Sequence, residues 1–132
     1  YILKLIPIVL PVIMSMHDIP IPEPEQQEEE WITVEATAYT AFCNSGCIGI
    51  TYNGTDVRNT IYHPSGHRII AADLSVLPNG SLVEIEGFSE LFVVDDIGGA
   101  IKGNRIDILM KTTDEANTWG VREVKIRIVE GE

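Results

Sequence analysis

Three aspartates flank a glycine-rich stretch in the second half of the chain: Asp95 and Asp96 precede it, and Asp107 follows it. The intervening residues read IGGAIKGNRI, and glycine lets the backbone adopt positive φ angles and approach a ligand closely. Carboxyl groups can donate and accept protons during bond cleavage. We therefore predict an acid–base site around this turn. Its glycines are Gly98, Gly99 and Gly103.

Asp107 falls within a strand predicted at 105–110, although aspartate is depleted in strands and is rarely buried without a partner. A role as catalytic acid or base explains such a position. A solvated charge paired with Arg105 or Lys102 is the alternative. A raised pKa at Asp107 would require burial or a nearby carboxylate, whereas Arg105 would pull the pKa down.

The other aspartates have simpler alternatives. Asp73 ends an apolar run, where its carboxylate can converge with the others or bond the turn amides near Leu74 and Ser75. Asp95 and Asp96 can be turn formers, since aspartate close to glycine is common in turns. A Ca²⁺ or Mg²⁺ site at Asp95, Asp96 and Asp107 is a weaker interpretation, because their spacing matches no known cation-binding loop.

Two cysteines, Cys43 and Cys47, and two histidines, His63 and His67, are each spaced four residues apart. A zinc site of two cysteines and two histidines is conceivable. The segment HPSGH contains proline and glycine, however, and would not place both imidazoles on one helical face. We expect instead a small disulfide between Cys43 and Cys47, with no metal and no cofactor.

The chain before residue 31 differs from the rest. Residues 1–16 are nearly all apolar, but the uninterrupted run is shorter than the roughly 20 residues of a membrane-spanning helix. They are predicted to be a signal or membrane-anchor segment of an exported protein. Residues 17–30 read HDIPIPEPEQQEEE, which is typical of an extended acidic linker. A single globular domain is expected at 31–132.

The overall charge excludes some partners. Nine Lys and Arg residues stand against 20 Asp and Glu residues, which gives a net charge of −11. Nucleic-acid binding requires a basic surface, so no nucleic-acid partner is expected. Contact with a membrane is expected only through the N-terminal segment.

The domain reads as short β-branched runs broken by turn residues, which favours a mainly β fold, a small barrel or sandwich. One short helix is predicted at 113–119, because Thr112 and Glu115 have capping-box spacing and Gly120 can end the helix. Strands are predicted at 31–39, 68–72, 81–85, 91–94, 105–110 and 121–129.

The run from Asp96 to Asp107, DIGGAIKGNRID, resembles the signature of the three-aspartate (3D) domain family. The family includes a domain of membrane-bound lytic transglycosylase A and secreted cell-wall proteins of Gram-positive bacteria and their phages. The resemblance implies a six-stranded double-psi β barrel. Supporting matches are TAY at 37–39, Asp73, LPNGS at 77–81 and the pair Trp119 and Gly120.

The resemblance also implies an activity: cleavage of the β-1,4 bond between N-acetylmuramic acid and N-acetylglucosamine in peptidoglycan, with a 1,6-anhydro product. By resemblance, the family aspartates are Asp73, Asp96 and Asp107, and Asp107 is the catalytic residue. The family usually has Thr where this chain has Ile97, which removes a hydroxyl beside Asp96. Substrate-binding candidates are Thr37, Tyr39, Lys102, Gly98 and Gly99.

Two other functions remain open. Asp96-Ile97-Gly98 superficially resembles the Asp-Thr-Gly element of aspartic proteases, but the chain lacks the hydroxyl and a second such element. A non-catalytic module that binds the glycan strands of peptidoglycan would use the same groove as an enzyme, because a fold does not by itself imply a function.

Overall fold

A computed structural model of the protein describes residues 30–42 and 48–130. The predicted segment 1–16, the linker up to residue 29 and the two cysteines, Cys43 and Cys47, lie outside the described residues. Within them, no helix combines the length and apolar character that crossing a membrane requires.

Six strands and one helix form the domain, and each was predicted from the sequence. The bounds of the helix and of the second strand agree, and four other strands differ by one residue at one or both ends. The fourth strand is two residues longer than predicted, so Asp95 and Asp96 lie in a strand and not in a turn. The elements are β1 (Ile32–Tyr39), β2 (Arg68–Ala72), β3 (Leu82–Ile85), β4 (Leu91–Asp96), β5 (Arg105–Leu109), α1 (Thr113–Trp119) and β6 (Arg122–Glu130).

The strands close into a barrel in the order β1-β5-β2-β4-β3-β6, with β6 pairing back onto β1. The pairs β1–β5 and β2–β4 are parallel, and the other four pairs are antiparallel. The predicted fold, a six-stranded barrel with one short helix, is confirmed. Closure leaves none of these six strands with an unpaired edge.

Alternation along the strands fills the barrel with apolar side chains. Ile70 and Ala72 of β2 and Ile106 and Ile108 of β5 are fully buried in this interior cluster. Ile69, which precedes Ile70, is also buried, because it packs in a second cluster on the outer face of the barrel. The rest of that outer cluster consists of Ala41, Val57, Val93 and Leu109.

The helix is fixed at both ends as its sequence predicted. Thr112 Oγ1 accepts a hydrogen bond from the backbone N–H of Glu115, 3.1 Å away, and Gly120 ends the helix with a φ of 68°. Trp119 Nε1 donates to the carbonyl of Ala36 in β1 at 3.0 Å. The helix is therefore attached to the strand that carries Thr37 and Tyr39.

An irregularity between β2 and β4 changes which side chains reach the outer face. Ile70 pairs with Val94, but the next residue, Ala71, pairs with Asp96. Asp95 is thus an extra residue, as in a β-bulge, and bulges redirect the side chains that follow them. Asp95 and Asp96 consequently both make their contacts on the outer side of the barrel.

Candidate active site

A cleft of about 660 Å³ lies on this outer face. Ala71 of β2 contributes to its lining, together with the carboxyl-bearing residues Asp96 and Asp107. Among the residues that the structure describes, no Lys or Arg lines it. The other lining residues come from 38–42, 48–50, 57, 97–101 and the helix positions 113 and 116.

The strand register places Asp96 and Asp107 on either side of the same residue of β2, Ala71. Ala71 pairs with Asp107 across β2–β5 and with Asp96 across β2–β4. The Cα atoms of the two aspartates are therefore two strand spacings apart, or about 10 Å. Because alanine has a short side chain, the space between the two carboxyl groups stays open to a ligand.

Asp107 is half-buried in the middle of β5, and its pKa is raised above the usual value for aspartate. Burial is the largest cause, and the negative charge of Asp96 adds to it. Two groups oppose them: Thr37 Oγ1 donates to Asp107 Oδ1 at 2.9 Å, and Arg105 carries a positive charge. Burial outweighs both, so the net effect is a rise in the pKa of Asp107.

Asp96 is held by three hydrogen-bond donors. The hydroxyl of Tyr39 donates to Oδ2, and the backbone N–H groups of Tyr52 and Ile97 donate to Oδ1, each at 2.9 Å. Burial and the charge of Asp96 raise the pKa of Tyr39 well above its usual value, so Tyr39 remains a donor at neutral pH.

The structure places Asp73 apart from these two acids, and it does not line the cleft. Its Oδ2 accepts from the backbone N–H of Gly103 at 2.7 Å, and its Oδ1 accepts from the N–H and hydroxyl of Ser75. These hydrogen bonds lower the pKa of Asp73 to about 2. Asp73 therefore ties the glycine-rich loop to the end of β2. Lys102 is exposed nearby and also does not line the cleft.

Gly98 and Gly99 line the cleft without positive φ angles, whereas Gly103 uses this freedom of glycine with a φ of 68°. Gly98 is required for a different reason. A Cβ there would lie 2.9 Å from Cγ1 of Ile101, inside the loop itself. Thr37 and Tyr39, predicted to bind substrate, instead bond the two acids, and Tyr39 also lines the cleft.

Sequence reasoning missed the network beneath Asp95, which is only 2% exposed. Asp95 Oδ2 accepts from Thr51 Oγ1 at 2.8 Å, and Oδ1 accepts from Asn53 Nδ2 at 2.9 Å. His63 Nε2 lies 3.8 Å from Oδ1. Asp95 thereby anchors the loop at 48–63 to the barrel. No periodic pattern in that loop signals these contacts.

Of the four residues in the zinc interpretation, the structure describes only the two histidines. His63 Nδ1 accepts from the backbone N–H of Ser65 at 3.0 Å, and its Nε2 faces Asp95. Across residues 30–42 and 48–130, no three or more His, Cys, Asp or Glu side chains are grouped closely enough to hold a metal ion. The possible disulfide between Cys43 and Cys47 concerns residues outside that part of the chain.

Comparison with known proteins gives three findings. Residues 68–130 match the family model described as 3D domain. The SPbeta prophage-derived uncharacterized protein YorM of Bacillus subtilis (strain 168) is 53% identical over 95 residues, which are 70% of this chain and 40% of YorM. The cell wall-binding protein YocH of the same organism is 39% identical over 104 residues, which are 79% of this chain and 34% of YocH.

The chain thus spans about a third to two fifths of the length of these relatives. Among solved structures, the crystal structure of MltA from E. coli is similar with a TM-score of 0.45 and 24% sequence identity. That match covers 67% of this chain and 29% of the other.

Proposed function

Since residues 68–130 match the family model described as 3D domain, we propose that this chain cleaves the glycan strands of peptidoglycan as a lytic transglycosylase. The observation that carries the proposal is Asp107: a half-buried carboxyl group with a raised pKa that lines an open cleft. A carboxyl group that is protonated near its working pH can act as a general acid.

One carboxyl group suffices for this reaction. Asp107 protonates the glycosidic oxygen as the bond between that oxygen and the anomeric carbon of N-acetylmuramic acid breaks. The resulting carboxylate then removes the proton from the 6-hydroxyl of the same sugar, whose oxygen bonds to the anomeric carbon. The product is the 1,6-anhydro sugar, no water is consumed, and Asp107 ends protonated. A pair of carboxylates, as in most glycosidases, is not needed.

The neighbouring groups fit supporting roles in this scheme. Asp96 lies on the other side of Ala71, where its negative charge raises the pKa of Asp107 and can stabilise positive charge that develops on the sugar ring. Tyr39 holds Asp96, and Thr37 orients Asp107. We assign Asp73 to positioning the glycine-rich loop, because its carboxylate already accepts hydrogen bonds from Gly103 and Ser75.

A second candidate is a peptidoglycan-binding module without turnover. It is supported by the similarity to YocH, which is named as a cell wall-binding protein. Either function places the domain outside the cell or at its surface, since that is where peptidoglycan lies.

The test is mass spectrometry of purified peptidoglycan after incubation with the 132-residue chain. We expect anhydro-muropeptides from the wild type and at least 100-fold less product from Asp107→Asn, in line with the usual 10²–10⁴-fold effect of a general acid. Asp114→Asn makes the same chemical change at an exposed position of α1 and should leave the yield unchanged.

Three results would contradict the enzyme. Products with ordinary reducing ends would mean hydrolysis. Equal yields from the wild type and Asp107→Asn would remove Asp107 from the reaction. Sedimentation of the chain with peptidoglycan without any cleavage would favour the binding module.

A further inference from the structure

A second pocket, of about 450 Å³, adjoins the cleft. The two share five lining residues, which form a common wall: Thr40, Ala41, Phe42, Val57 and Thr113. The second pocket is otherwise lined by residues 58–61, which lie in the loop anchored by Asp95, and by residues 110–112, which connect β5 to α1. A ligand that branches at the common wall can extend into both spaces.

The two spaces differ in charge. The cleft contains Asp96 and Asp107 and no basic side chain. Among the described residues, Arg58 and Lys111 line the second pocket and no acidic side chain does, while Glu115 Oε1 accepts from the backbone N–H of Lys111 at 3.2 Å. The chain as a whole has a net charge of −11, so the two basic side chains of this pocket differ in sign from most charges of the protein.

Lys111 contributes most of this positive charge. Arg58 is partly neutralised by Asp56, since its Nε and Nη2 donate to the Asp56 carboxylate at 2.9 and 2.6 Å. For Lys111, the described residues offer no carboxylate oxygen within 4 Å of the ammonium group. Asn59 and Thr60 add neutral polar groups that can bond peptide amides.

We propose that the second pocket binds the peptide stem of peptidoglycan while the sugar backbone occupies the cleft. This inference rests on the proposed function. The stem is attached to the muramyl sugar, next to the bond that would be cleaved, and it carries carboxylates. Those carboxylates are repelled by Asp96 in the cleft, whereas Lys111 attracts them across the common wall.

The test compares binding to two ligands: purified peptidoglycan glycan strands with their peptide stems, and the same strands after an amidase has removed the stems. Binding is measured in the Asp107→Asn background, so that cleavage does not consume the ligand. We expect about tenfold tighter binding to the stem-bearing strands at low salt. Lys111→Glu should abolish this preference, and added salt should reduce it, because the contact is electrostatic.

Lys125→Glu is the matched control, since it makes the same charge change at an exposed position of β6 that lines neither pocket. It should retain the preference. Equal binding to both ligands would overturn the inference. So would a Lys111-dependent preference for the stem-free strands, which would assign the contact to the lactyl carboxylate exposed by the amidase.

Failure of the proposed function gives a different result. The wild type would then release no anhydro products from either ligand, whereas the ratio of the two affinities is measured without turnover. A preference for stem-bearing strands without cleavage would assign the pocket to a binding module.

Discussion

At the scale of single residues, the chemistry depends on how Asp107 balances opposing influences. Arg105 is adjacent to β1 and lies 3.5 Å from Glu35, measured from its Nε to Oε1. The positive charge of Arg105 therefore interacts with Glu35 as well as with Asp107. Burial in β5 is the larger influence on Asp107, and the pKa rises.

A raised pKa has a consequence for stability. The folded protein binds the Asp107 proton more tightly than the unfolded chain does, so this group favours folding at low pH and opposes it once the pH rises above the folded-state pKa. We expect Asp107→Asn to increase the free energy of unfolding at pH 7 while abolishing cleavage, as at other active sites where function costs stability. Urea denaturation at pH 7 measures this difference, and a less stable variant would contradict it.

The hydroxyl of Thr37 acts in the opposite direction to burial, since its hydrogen bond favours the charged form of Asp107. Thr37→Val removes that donor and should raise the pKa of Asp107 further. The pH–activity profile should move to higher pH on its basic side. Carbon-13 NMR of the Asp107 carboxyl group measures the pKa directly, with Thr33→Val, an exposed position of the same strand, as the control.

The sequence predicted Asp107 and Asp96 because aspartates around a glycine-rich turn form a local pattern. It could not predict that Thr37 bonds Asp107, since these residues are 70 positions apart and meet only through the parallel β1–β5 register. Nor could it predict which influence determines the pKa, because burial is a property of the packed structure.

At the scale of elements, the bulge in β4 and the loop at 48–63 form one unit. The bulge turns Asp95 toward Thr51 and Asn53, and the neighbouring Tyr52 N–H then reaches Asp96. The elements were predictable from alternation and capping. The bulge was not predictable, because one extra residue does not visibly change the pattern of a short strand such as FVVDD.

Asp95→Asn tests this unit. Both carboxylate oxygens of Asp95 accept hydrogen bonds, and the variant replaces one of them with an NH₂ group, which is a donor. One hydrogen bond to Thr51 or Asn53 is then lost, which costs about 1–3 kcal/mol of folding free energy for a buried group. We expect lower stability, faster hydrogen exchange of the amides at 51–55, and reduced cleavage. Unchanged exchange in this segment would show that the loop is held by other contacts.

Alanine substitutions at Gly49 and Gly54 distinguish backbone strain from side-chain collision in the same loop. Both have positive φ angles, 83° and 94°. Alanine at Gly54 meets nothing within 4 Å, whereas alanine at Gly49 would collide with the aliphatic part of Arg58. We expect Gly54→Ala to cost roughly 1–2 kcal/mol from backbone strain alone, and Gly49→Ala to cost more.

Thermal unfolding of the two variants provides the measurement. The difference between them reports the contact with Arg58. Equal losses would mean that the Arg58 side chain moves away without cost.

At the scale of the whole molecule, two hydrogen-bonded carboxylates contribute to the response to acid. Hydrogen bonds lower the pKa of Asp73 and of Asp56 to about 2, from 3.8. A depressed pKa contributes stability above the unfolded-state value, and that stability is lost as the pH falls through the folded-state value. The free energy of unfolding should therefore fall between about pH 4 and pH 2.

The double variant Asp56→Asn/Asp73→Asn should be less stable than the wild type at pH 7 and should converge with it near pH 2. Denaturant titrations at several pH values give both curves. Parallel curves would assign the acid sensitivity to other groups.

The register of the first and last strands has one more consequence. Ile32, at the start of β1, pairs with Ile126, four residues before the end of β6. The chain therefore enters and leaves the barrel side by side, at the same end of neighbouring strands. A domain whose two ends lie close together can be inserted into a surface turn of another protein without separating the two residues that the turn connects. This arrangement of the two ends favours insertion of the barrel, as a unit, into larger proteins.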